Sequence, residues 1–308
     1  MIQAKVVADS LNEFGNRLTT LEVVMPRIIL AEFNTHRMLS RNSASSRAIP
    51  FHKLLEAVEN NPFIPLKYMK DHKGMQGSEY FEDGSFDHTW LSARDKAVEK
   101  AKHLSELGLT KQIVNRLLEP FMWHTVLVSA TEWENFFNLR YDSAAEIHMQ
   151  EVAKVILEAM NESEPVKLKA GEWHIPYADK IIASEITSTY YWKECGDLTI
   201  EAAKIAISTA MCAGVSYTVV CEDGKTLNFE KLIARHDMLA KAGHMSPFEH
   251  IAKAMSYSEY NYNRITISNG EDKGSYIPGV CGNFRGFIQY RKMFQNENRA
   301  DSRLIKKA

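Results

Sequence analysis

The chain carries almost no net charge: 37 basic and 39 acidic residues leave −2 at pH 7 over 308 residues. That balance excludes a wholesale nucleic-acid coat, which shows as a strongly basic domain or stripe. Cysteine is scarce as well. The four present (Cys195, Cys212, Cys221 and Cys281) form no CxxC pair and no regular framework. A disulfide scaffold and a structural zinc site are thereby set aside, and a reduced cytoplasmic setting is expected. No apolar run approaches the roughly 18 residues of a membrane span. The opening MIQAKVVADS lacks the apolar core of a signal peptide, so no membrane partner is expected. GxGxxG, HExxH and GxSxG are all missing, and the GKT at Gly224 to Thr226 has Val219 where a phosphate loop needs glycine.

What is present reads as a mixed fold. Val, Ile and Thr enrichment predicts strands over Ile2–Val7 and Arg17–Phe33, with NEFG turning between them. Apolar spacing predicts helices over Lys53–Glu59, Asp87–Glu106, Lys111–Leu118, Thr131–Arg140, Ala144–Met160, Ile200–Ala213 and Asn228–Ala242. Arg94 interrupts the apolar face of the second of these and is expected to snorkel out to water. Residues 61–85 hold proline and glycine without periodicity and form a long loop; 160–199 is a connecting segment, and the tail from Asn296 is polar and basic. With no low-complexity linker and no short repeat, residues 1–308 are expected to form one intertwined α+β domain.

One stretch concentrates chemistry. THRMLSRNSASSR (Thr35 to Arg47) holds three arginines, a histidine, four serines, a threonine and an asparagine, but no carboxylate. Guanidinium forks, hydroxyls and turn amides together suit a phosphorylated ligand. Three arginines this close repel one another unless an anion or a distant acid neutralises them. A solvated Ser/Arg loop is the bland alternative; the preceding apolar run VVMPRIILAEF argues that the stretch is held near the core.

The same residues resemble the arginine motif of the flavin-dependent thymidylate synthases, R-H-R-x-x-S-x-N-E-x-S-x-R. His36, Arg37, Ser40, Asn42, Ser45 and Arg47 fall in register, while Thr35 and Ser43 stand for the first arginine and the glutamate. LGLTKQIVNRLLEP (Leu107 to Pro120) is similar to a family helix, with Arg116 at the arginine that contacts the nucleotide phosphate. NFFNLRYDSAAEIHMQEVA (Asn135 to Ala153) resembles another segment; Asn135 and Arg140 match, and Ala144 and Glu146 replace its histidine and glutamine. CAGVSY and LIARHDMLAKAGHMSPFEH look like the family segment ending in S-P-F-E-H. That segment normally precedes the arginine motif, so residues 200–255 resemble the family's N-terminal part in circularly permuted order.

The resemblance implies a mixed or antiparallel sheet flanked by a helical bundle. It implies reductive methylation of dUMP to dTMP, with methylenetetrahydrofolate as carbon donor, reduced FAD as hydride carrier and NADPH as reductant. His36, Arg37, Asn135 and His250 would hold FAD. Ser45, Arg47, Arg116 and Arg140 would hold dUMP, with Arg140 and Ser45 as the catalytic groups. No metal is implied, and a homotetramer with shared sites is. Two other readings stay open: a pyrimidine nucleotide C5 hydroxymethylase or related alkylating enzyme, and a non-catalytic nucleotide-binding protein.

Three local expectations complete the reading. Ser246, Pro247 and Glu249 predict a capped helix start, with His250 in the first turn beside exposed N–H groups. Trp133 and Phe136 are expected to be scaffold. GNFRGFIQYRK (Gly282 to Lys292) is a basic, aromatic strand whose Arg285, Gln289 and Arg291 are candidates to replace missing contacts.

Overall fold

Asn12 bends the chain back on itself: its Oδ1 accepts from the amides of Phe14 (3.0 Å) and Asn16 (2.9 Å), and Gly15 supplies the left-handed residue, φ 82°. This turn joins β1 (Gln3–Asn12) to β2 (Arg17–Pro26) in the computed structural model. The structure describes residues 1–74, 76–187, 199–215, 227–262, 264–266, 272–275, 281–294 and 297. Cys195, Cys221, the GKT at 224–226 and most of the tail from Asn296 lie outside the described residues.

The fold is α+β. A five-stranded mixed sheet runs in the order β3–β4–β2–β1–β5, with β3 at Ser40–Ser43, β4 at Trp123–Ala130 and β5 at Val166–Leu168. Only the β1–β5 pair is parallel. β4 went unread in the sequence, and its burial explains why. Val126, Val128 and Ala130 pack with Met149, Val152 and Ile156 of the helix α6 (Ile147–Glu162). Leu127 packs with Ile207 and Met211 of the helix Ile200–Gly214 in a separate cluster. A strand covered on both faces shows no alternation and reads as one apolar run.

The helices over Asp87–Glu106 (α3), Ile200–Gly214 and Phe229–Ala242 agree with their apolar spacing. Corrections concern ends and breaks. β2 stops at Pro26 instead of continuing to Phe33; Arg27–Ile29 form a 3-10 turn and Leu30–Phe33 a short helix, α1. Proline has no N–H to extend the ladder, so a helical turn, and not a strand, delivers the 35–47 stretch. The second helix over Phe51–Asn60 (α2) is longer than expected. The helix expected over Lys111–Leu118 is α-helical only at Lys111–Val114 (α4) and continues as 3-10 through Phe121. Arg94 runs out to the surface but does not end free in water: its Nη1 donates to the carbonyls of Val58 (2.9 Å) and Glu59 (3.0 Å), capping the C-terminal end of α2, and its Nε to Asp95 (2.7 Å).

Candidate functional site

Two segments far apart in sequence meet beside β3. α1 ends at Phe33 and the chain turns through Asn34 to Leu39, with Thr35 Oγ1 donating to Glu32 O (2.7 Å). Opposite stands α5 (Glu134–Arg140), seated by buried Trp133 and Phe136; these two aromatics are scaffold, as expected. Phe136 lies edge-on to both Phe33 (5.7 Å) and His36 (5.0 Å), which fixes the spacing between the two segments.

Between them lies a cavity of about 520 Å³ walled by Thr35, His36, Arg37, Glu132, Asn135, Phe136, Arg140 and Arg285, among others. Small-molecule sites fall at roughly 300–1,000 Å³. Arg140 organises its floor. Its Nε donates to His36 Nε2 (2.7 Å), one Nη donates to Glu32, and the other lies 3.4 Å from Thr35 Oγ1. Because His36 Nε2 accepts, the imidazole is neutral with its proton on Nδ1. Burial, then the charges of Arg140 and Arg41, hold its pKa below the usual histidine value. Arg37 is exposed and has no hydrogen bond or ion pair among the described residues.

Of the residues expected to hold a flavin, His36, Arg37 and Asn135 share this cavity. His250 does not line it. His250 follows a 3-10 turn over Ser246–Glu249, is fully buried, and forms no helix start. The expected capping box is also absent: Ser246 Oγ donates to Asn42 Oδ1 (3.3 Å), and Glu249 is taken by Arg291. His250 Nδ1 is instead hydrogen-bonded to Ser129 Oγ (2.8 Å), on the sheet face that carries Leu127. A buried chain continues from Ser129 to Thr20 (2.6 Å), His174 (2.8 Å) and Ser10 (2.8 Å). Burial pushes the pKa of His250 and His174 down to about 3 each. The reason for the misplacement is tertiary: Ser129 is a polar group on a buried strand, and His250 satisfies it.

The residues expected to hold a nucleotide divide. Arg140 belongs to the cavity, whereas Arg116 faces Glu119, and Ser45 and Arg47 flank Ser46, which is bonded to that same carboxylate. The turn at 45–49 is tied down by Asn115, whose Nδ2 donates to Ser46 O (2.7 Å) and Ile49 O (3.0 Å). Ser46 Oγ donates to Glu119, and Lys111 Nζ donates to Ala48 O (3.0 Å). Glu119 also faces Arg116 (3.9 Å) and Arg27 (3.6 Å). Ser45 and Arg47 are exposed at the rim of this basic surface.

Sequence reasoning missed Arg27, Asn115, Glu119 and His124. Arg27 Nε and both nitrogens of His124 are buried without a partner among the described residues, and burial beside Arg27 lowers the pKa of His124 to about 4. An arginine inside an apolar run was the one visible signal. Of the C-terminal candidates, Gln289 and Arg291 serve the fold. Gln289 donates to Ser40 Oγ (3.2 Å) and Glu249 O (3.0 Å), and Arg291 pairs with Glu249 and Glu297. Arg285 alone of the three reaches the cavity.

Glu146 also has a structural explanation. As N-cap of α6 its carboxylate accepts the amides of His148 (2.8 Å) and Met149 (3.1 Å).

Residues 16–166 match the family described as thymidylate synthase complementing protein. This segment, just under half of the chain, belongs to the family. The matched segment contains the 35–47 stretch, Arg116, Asn135 and Arg140, and ends before His250 and Arg285. A flavin-dependent thymidylate synthase of Kosmotoga olearia is 24% identical over 164 residues, covering 51% of this chain and 68% of that protein. Among the described residues, no helix is long and apolar enough to cross a membrane, and no cluster of His, Cys, Asp and Glu could hold a metal ion.

Proposed function

We propose that the protein is a flavin-dependent thymidylate synthase that converts dUMP to dTMP with methylenetetrahydrofolate, reduced FAD and NADPH. The observation that carries this reading is the single cavity uniting His36, Arg37, Asn135 and Arg140. Its donor set fits a flavin dinucleotide: an unengaged guanidinium for a phosphate, an exposed amide for a carbonyl-rich ring, and a neutral imidazole against an aromatic wall. FAD when bound supplies hydride transfer. The chain's own groups bind, orient and polarise.

Arg140 holds the His36 tautomer through its Nε, so the imidazole presents Nδ1–H and stays uncharged. Arg140 and Ser45 are the proposed catalytic groups. A guanidinium near the pyrimidine carbonyl would stabilise negative charge as a bond forms at uracil C5, a weak nucleophile. Ser45, Arg47 and Arg116 do not wall the cavity of their own subunit. The shared sites and tetramer implied by the family would bring this basic surface to the cavity of a neighbouring copy. His250, buried in its hydrogen-bonded chain, keeps at most a second-hand influence on the flavin through the packing of β3 and β4.

Purified protein is expected to show flavin absorbance in the visible region, or to acquire it on adding FAD. With dUMP, the folate donor and reductant it should release dTMP. Failure to bind FAD sinks the enzyme reading, and a hydroxymethylated product, identified by mass, changes the reaction while keeping the sites.

Arg47→Ala should weaken dUMP binding tenfold or more, since a hydrogen bond to a charged group contributes about 1.5–3 kcal/mol. Uridine, lacking the phosphate, should bind the variant and the parent equally. Equal losses for both, measured by calorimetry, would show that Arg47 does not read phosphate.

A further inference from the structure

Residues 281–294 lie beyond the family match, yet they place a guanidinium in the cavity. Phe284 and Phe287 are fully buried in one cluster with Leu18, Leu168, Ala252 and Ala254. Between them, Gly286 adopts φ 68°, and a Cβ there would run into the side chains of Asn12 and Asn16. Asn12 Nδ2 donates to Gly286 O (2.9 Å) and Arg285 N donates to Thr131 Oγ1 (3.0 Å). Asn283 accepts from Ser40 Oγ (2.9 Å) and donates to Met38 O. Arg285 is therefore pinned on both sides, and the segment that carries it clasps the turn bearing Arg37.

Its charge is paired with Glu132, but its hydrogen-bond donors are left open. Arg285 Nε lies 2.7 Å from Glu132 Oε1 but is not aligned for a hydrogen bond, and that buried N–H has no partner among the described residues. Arg140 is consumed by Glu32 and His36, so Arg37 and Arg285 are the two cavity arginines with donors to spare. Two such forks on one cavity match the oxygens of a phosphate or diphosphate group.

We propose that Arg285 is a second phosphate-binding arginine of this cavity, acting with Arg37 on a diphosphate-bearing ligand. The proposal rests on reading the cavity as the site of a phosphorylated cofactor, and its test separates the two. Titration calorimetry on the full chain would use FAD, riboflavin and inorganic pyrophosphate as probes. Arg285→Gln should weaken FAD and pyrophosphate tenfold or more and leave riboflavin unchanged; Arg285→Lys should recover part of the loss. Glu132→Gln, which leaves Arg285 in place and removes the competing carboxylate, should tighten pyrophosphate. Arg285-dependent binding of pyrophosphate without any flavin binding would sustain the proposal and overturn the flavin reading. Unchanged FAD and pyrophosphate affinities in Arg285→Gln, equal losses for all three probes, or no pyrophosphate binding to the parent protein would overturn it.

Discussion

Arg140→Ala is expected to lose flavin before it loses chemistry. The guanidinium ties α5 to the turn after α1 through His36, Glu32 and Thr35. Its removal leaves the half-buried Glu32 carboxylate uncompensated and lets His36 rotate. Hydrogen bonds to charged groups are worth about 1.5–3 kcal/mol each, so a stability loss of about 2 kcal/mol is expected after allowing for partial exposure. FAD affinity should fall at least tenfold, read by fluorescence titration of the flavin-free protein. Arg140→Lys keeps the charge but not the fork, and should restore stability more than flavin binding. A variant that melts like the parent, retains FAD and loses only turnover would detach Arg140 from the cavity's architecture. It would then leave the residue to the transition state of the pyrimidine.

The second large effect is acid instability. His124, His174 and His250 are buried, and burial lowers their pKa values to about 4, 3 and 3. In an unfolded chain histidine titrates near 6.5. Folding thus favours the neutral form, and unfolding takes up protons. The contribution is fully present above about pH 6.5 and is lost as pH falls towards the folded-state values. Each histidine gives a slope of about 1.4 kcal/mol per pH unit, so three give about 4 kcal/mol per unit once the unfolded chain is protonated. Against a typical stability of about 5–15 kcal/mol, cooperative unfolding should occur between pH 6 and 4. Urea melts at pH 7, 6 and 5 would measure it, in a window above most carboxylate titration. His124→Gln should reduce the slope by one proton. A stability that stays flat from pH 7 to 5 would contradict buried, neutral imidazoles.

Burial of the reactive-looking groups follows the same logic. Cys212 is fully buried and burial pushes its thiol pKa up, so it is an inert packing residue and no nucleophile.

Local physics made a good part of this protein legible from its residues alone. The helix over Asp87–Glu106 is a matter of 3.6-residue periodicity, and the sequence reading and the structure agree on both ends. The turn at Asn12–Asn16 follows from an Asx side chain and a glycine, and the arginine, serine and histidine content of 35–47 already pointed to an anion. Register with the family motif selected His36, Arg37 and Asn135, which do meet in space.

Only the tertiary structure decided what those groups face. β4 is unreadable by alternation because helices cover both of its sides. Ser246, Glu249 and His250 spell a helix start, but Asn42, Arg291 and Ser129 compete for the same polar atoms and win. Ser45 and Arg47 sit eight to eleven residues from His36 and Arg37 in the chain, yet Asn115 and Glu119 hold the turn that carries them at a separate surface. Arg285 arrives from some 250 residues away, pinned by two phenylalanines that any sequence reading assigns to the core. A side chain's type is written in the sequence, whereas its partner is set by whichever buried polar group the packed fold leaves unsatisfied beside it.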